Sequence, residues 1–89
     1  MSKFLNTLIF VFSWKRKKAR NFYKNGLKKV ILKDFVGAIA EFSMSIEVYP
    51  KIERAYFSRG MAKYSLKDYT GAIEDLTMAI ENIPHDEDV

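Results

Sequence analysis

The side chains able to do acid–base or metal chemistry are few in this chain, and their spacing is wrong for it. His85 is the single histidine. It follows Pro84 in an acidic tail, Asp86-Glu87-Asp88, with no second ligand group at metal-binding spacing. Glu74 and Asp75 are neighbours, so on a helix they point in different directions. Cysteine is absent, which removes disulfides, thiol nucleophiles and cysteine-ligated metals together. No glycine loop of the phosphate-cradling kind appears, and no nucleophile stands with a base partner. The chain is therefore expected to be no enzyme and to hold no cofactor or metal. What its residues can do at their spacing is bind, through apolar stripes and through clustered cations.

The elements that position these residues are written in an internal repeat of 34 residues. With residues 19–52 set above 53–86, Gly26 pairs with Gly60, and Lys33-Asp34-Phe35 with Lys67-Asp68-Tyr69. Gly37-Ala38-Ile39 pairs with Gly71-Ala72-Ile73, Met44 with Met78, Ile46-Glu47 with Ile80-Glu81, and Pro50 with Pro84. A period of this length points to stacked helical hairpins, whose usual work is holding other proteins. In the first unit the spacing predicts helices over about 19–32 and 35–48. Asp34 and Asp68 stand where a helix start wants a side-chain acceptor for its free backbone N–H groups. Pro50 and Pro84 cannot continue the second helix of each unit. A mid-helix glycine costs about 1 kcal/mol relative to alanine. Its recurrence at Gly26 and Gly60 predicts close helix approach, with Ala38 and Ala72 as the small residues opposite.

These residues resemble the tetratricopeptide repeat family over residues 19–86. The first unit reads Phe22, Gly26, Ala38, Phe42, Ser45, Pro50, and the second reads Tyr56, Gly60, Ala72, Leu76, Ala79, Pro84. The stretch from Arg59-Gly60-Met61-Ala62-Lys63-Tyr64 into Asp68-Tyr69-Thr70-Gly71-Ala72-Ile73-Glu74-Asp75 is especially similar. Asn25, Lys29 and Ser45 depart from the family pattern, which predicts a looser first unit or one whose surface is adapted to a neighbour. The resemblance implies an all-α fold of two antiparallel hairpins stacked as a short solenoid, and the residues before it read as an apolar N-terminal helix. It also implies a concave groove lined by the first helix of each unit. By register those positions are Arg20, Tyr23, Lys24, Leu27 and Val30, then Arg54, Phe57, Met61 and Tyr64. Independently of the family, Tyr23, Leu27 and Val30 stand at i, i+4 and i+7, as do Phe57, Met61 and Tyr64. Each set is a stripe on one helix side, which either lines a groove or packs under another part of the chain. Family members that clamp a terminal carboxylate use lysine and asparagine where this chain has Tyr23 and Leu27. An apolar helix or extended apolar peptide is the expected ligand.

At 89 residues the chain makes one small domain, marginal if alone. Two units are fewer than the three or so that such stacks normally need, so something must cover the open ends. Charge is split along the chain. Residues 1–33 hold ten Lys or Arg and no acid, whereas residues 34–89 hold five Lys or Arg against eleven Asp or Glu. The halves carry +10 and −6, which a net charge of +4 conceals. Such asymmetry points to an anionic partner near the N-terminal part.

Three parts follow: an apolar segment with a basic linker over 1–18, the repeat domain over 19–86, and an acidic tail over 87–89. In the first, Phe4, Leu5, Leu8, Ile9, Phe10, Val11, Phe12 and Trp14 make a run that ends at Lys15-Arg16-Lys17-Lys18. As a helix residues 4–14 would reach about 16 Å, too short for a hydrocarbon core of about 30 Å. The basic cluster and the lack of a small-residue cleavage site fit a secretory signal poorly. The run is apolar all round rather than amphipathic, which suits burial in lipid or in a partner. It is expected to anchor the chain at a membrane surface, its lysines meeting anionic lipid at roughly 1 kcal/mol each, or to join a membrane complex. The alternatives are a soluble or self-associating module whose N-terminal helix caps its own groove, and an RNA- or ribosome-associated module. Eight basic residues over 15–29 could neutralise phosphates beside Phe22 and Tyr23. Phe22, however, belongs to the repeat core by register, and no nucleic-acid-binding motif accompanies the charges. The expected protein is a non-enzymatic adaptor in the cytoplasm or at the cytoplasmic face of a membrane, binding protein and open to forming homo-oligomers.

Overall fold

A computed structural model describes residues 2–83. It contains four helices: α1 (Ser2–Ile31), α2 (Phe35–Val48), α3 (Glu53–Ser65) and α4 (Tyr69–Glu81). The fold is all-helical among the described residues. α1 pairs with α2 and α3 with α4 as antiparallel hairpins, and the hairpins join through α2 and α3. α1 brushes α3 and does not pack on α4.

Each hairpin turns on Leu-Lys-Asp, in a geometry set by backbone hydrogen bonds. The Lys33 N–H donates to Val30 C=O (2.8 Å) and the Asp34 N–H to Lys29 C=O (2.8 Å). Lys67 and Asp68 repeat this on Tyr64 and Lys63 (both 2.9 Å). Two carbonyls left over at each helix end are thereby satisfied, a pattern that needs a left-handed residue and usually recruits glycine. Lys33 (φ 60°) and Lys67 (φ 66°) fill that position. The next residue begins the following helix, as expected: Asp34 Oδ1 accepts from the Gly37 N–H (2.9 Å) and Asp68 Oδ1 from the Gly71 N–H (3.0 Å). Lys67→Gly should raise stability by about 0.5–1 kcal/mol, because relief of the left-handed penalty exceeds the added chain entropy. A urea titration that gave an unchanged or lower midpoint would contradict this. At the far end of α2, Tyr49 is extended (φ −143°, ψ 92°), as a residue before proline must be, and Pro50 follows. Pro84 lies outside the described residues.

The core is built mostly from small residues: Ala19, Ala38, Ala55, Ala62, Ala72 and Ala79, with Phe42 and Tyr56 the buried rings. Helices faced with alanine and glycine can approach closely, and the two repeated glycines lie at such places. The partner of Gly26 differs from the expected one, whereas Gly60 meets Ala72 as expected. Gly26 faces Phe42 rather than Ala38, and a methyl group added there would overlap the ring edge. At Gly60 an added methyl would lie 3.2 Å from the Ala72 carbonyl oxygen, and equally near Asp75 Cβ and Leu76 Cγ. Phe22, expected in the core, is only half-buried. Ser45, which the sequence reading treats as a loosening of the first unit, is fully buried and donates to the Ala19 carbonyl at 2.7 Å. That bond ties α2 to the middle of α1.

The N-terminal segment is helical but not a separate helix. α1 runs unbroken from the apolar run through the basic cluster into the first hairpin. The expected linker over 15–18 is thus continuous helix. No glycine, proline or capping residue interrupts residues 14–20, and Lys, Arg and Ala all favour helix.

Candidate functional site

The nine groove positions come from α1 and α3, and the structure gathers all but Tyr64 around three adjoining concavities. The smallest, of about 280 Å³, is lined by Leu27, Val30, Phe35, Phe57 and Met61 with Ser58, Ala62 and Ser65. A second, of about 560 Å³, is lined by Tyr23, Phe57, Leu76, Ala79, Ile80 and Ile83, with Glu53 and Arg54. A third, of about 700 Å³, gathers Arg16, Arg20, Lys24, Lys51 and Arg54 around Tyr23, Leu27 and Tyr49, with Ile52, Glu53 and Asn82 completing its wall. Phe57 is common to the first two and stands 53% exposed. Leu27 and Met61 are exposed as well, and Val30 is half-buried. Tyr23 has a double role, since its ring tilts against Phe42 at 5.8 Å on its inner side. Tyr64 stands apart, edge-on to Tyr69 at 5.4 Å.

The groove is therefore apolar at one end and cationic at the other. Among the described residues, no ion pair involves Arg16, Arg20, Lys24, Lys51 or Arg54. Apart from an exposed Lys29–Asp34 pair at 3.7 Å, the paired charges form a network that holds the second hairpin. Asp75, 5% exposed at its side chain, receives Arg59 through two bonds of 2.8 Å, and Lys63 lies 3.1 Å away. Arg59 also donates to Ser43 Oγ at 3.0 Å, which links α3 to α2 as well as to α4. Burial pushes the Asp75 carboxyl up, but the hydrogen bonds from Arg59 and Lys63 outweigh it and hold the group below its ordinary value. The hydrogen bond to Asp75 raises Arg59 in turn, against the opposing effect of burial. Glu74, its neighbour, is exposed.

Sequence reasoning missed the α4 wall of the groove. Leu76 and Ile80 repeat Phe42 and Ile46 at the 34-residue spacing. In the first unit Phe42 is fully buried and Ile46 half-buried. In the second unit Leu76 is half-buried and Ile80 is 68% exposed. The signal was present in the register, since these positions match Phe42 and Ile46 of the first unit. The Arg59–Asp75 pair was likewise missed, because the first unit has Asn25 and Glu41 at the matching places.

The proposed anchor residues Phe4, Leu5, Leu8, Ile9, Phe10, Phe12 and Trp14 are all exposed, from 43% at Leu8 to 77% at Phe4. Lys15, Arg16, Lys17 and Lys18 continue the same exposed helix, and Lys18 Nζ sits 4.8 Å from the centre of the Trp14 ring. No residue over 3–18 is covered by the rest of the chain. No helix among the described residues is long and apolar enough to cross a membrane. His85 and the acidic tail lie outside the described residues. Comparison with family models, with curated proteins and with solved structures finds no match to this chain.

Proposed function

We propose that this chain is a non-enzymatic adaptor of the tetratricopeptide-repeat kind, whose groove receives an apolar helix or extended peptide of a protein partner. The observation that carries the reading is the open stripe on α1 and α3: Leu27, Phe57 and Met61 face a concavity instead of the core. Large apolar side chains clustered in a concave surface lose water when a partner fills it, and aromatic ones commonly dominate the resulting affinity. A second reading, anchoring of residues 4–18 at a membrane surface or in a membrane complex, draws support from the full exposure of that segment. A nucleic-acid role draws less, because Phe22 and Tyr23 are half-buried and offer little free ring surface for stacking.

The test uses Phe57→Ala and Met61→Ala in the full chain. Each should weaken partner capture by about 1–3 kcal/mol or more, while unfolding free energy changes by about 1 kcal/mol or less, since both side chains are largely exposed. Capture unaffected by both substitutions would reject the groove. A loss of several kcal/mol in stability would reject its openness.

A further inference from the structure

We propose that residues 4–14 of one copy pack on the open α4 end of a second copy, against Phe57, Leu76, Ile80 and Ile83. The inference rests on reading the molecule as an interaction module, and it names one occupant of that surface. Two apolar surfaces lie unpartnered on the same molecule. One is the segment from Phe4 to Trp14, exposed along its whole length. The other is the 560 Å³ concavity whose apolar wall is Phe57 of α3, Leu76, Ala79 and Ile80 of α4 and the following Ile83, with Tyr23 of α1 also lining it. Stacked hairpins rely on neighbours to bury their apolar faces, and here Ile80 and Ile83 are exposed. A helical, all-round apolar segment has the shape and chemistry to cover them.

Geometry sends the segment to another copy. α1 is one uninterrupted helix of 30 residues, a rod of about 45 Å. Its first buried residue is Ala19, and it does not pack on α4. Bringing its own residues 4–14 to its own α4 would require the rod to break, whereas a second molecule meets no such obstacle. Charge favours the same pairing. The basic half, +10 over residues 1–33, would approach the acidic half, −6 over residues 34–89; Glu53 and Arg54 offset each other at the cavity wall, and Glu74 and Glu81 are exposed on α4. Opposite charges across a contact speed association and set its orientation. Lipid would cover the segment alone and leave the α4 end bare. A second copy covers both, and a reciprocal arrangement closes as a two-fold dimer.

Sedimentation of the full chain without detergent should give twice the 10.4 kDa chain mass or more, with association weakening as salt rises. Leu8→Asp and Ile80→Asp should each raise the dissociation constant by about tenfold or more, with helical content unchanged because both side chains are exposed. Mixing the two variants should restore association, since one intact segment then meets one intact α4 end. The chain contains no cysteine, so Leu8→Cys mixed with Ile80→Cys should cross-link between molecules on oxidation. A monomeric wild-type chain, or one whose segment inserts into vesicles of anionic phospholipid while Ile80→Asp changes nothing, overturns the inference. Partner capture that still depends on Met61 in such a monomer would leave the groove reading standing.

Discussion

Phe42→Ala is expected to cost about 3–5 kcal/mol, the usual consequence of truncating a fully buried phenylalanine. The ring is completely shielded, lies against the Gly26 notch of α1 and meets Tyr23 at 5.8 Å. Few other large side chains are available to close the hole, because the rest of the core is mostly alanine. A small domain has roughly 0.05–0.15 kcal/mol of stability per residue, so this one change would consume a large share of the total. Urea unfolding followed by circular dichroism measures the loss. The notch gives a second readout. Gly26→Ala should destabilise the wild type by about 1–3 kcal/mol, as overpacking does, and much less in a Phe42→Leu background where the ring edge is gone. Equal effects in both backgrounds would show that Gly26 is not held by Phe42.

Asp75→Asn should cost about 3 kcal/mol, toward the lower part of the range for breaking a buried ion pair, because Arg59 and Lys63 are 19% and 21% exposed and recover some hydration. The same pair makes a statement about acid. The Asp75 carboxyl titrates lower in the folded chain than in the unfolded one, so its stabilisation is complete above the ordinary aspartate range. It is lost as pH falls through the folded value. Arg59 is raised, so its contribution would be lost only in strong base. Melting temperature should therefore begin to drop as pH enters the ordinary carboxylate range and keep dropping below it, and drop less steeply in Asp75→Asn. Parallel curves for the two proteins would remove Asp75 from the acid response.

Both variants act at places that a one-dimensional reading does not reveal. Phe42 appears in the repeat pattern, but its seat against Gly26, four residues from the expected Ala38, depends on how far α2 slides along α1. Arg59 and Asp75 are sixteen positions apart and belong to different helices, so only the closure of the second hairpin makes them a pair.

The chain's own order of residues determined the local structure. Helix periodicity, the caps at Asp34 and Asp68, the stop before Pro50 and the α1 and α3 stripes all depend on neighbours within one turn or two. Those interactions form whatever the distant chain does, so their spacing can be read directly. Tertiary structure alone decided the rest: the Ser45 bond to Ala19, the Phe42 seat, the Arg59–Asp75–Lys63 network and the uncovered α4 wall of the groove. Each of these depends on the offset and rotation of one helix against another. Many weak contacts acting together set that geometry, and no short run of residues specifies it.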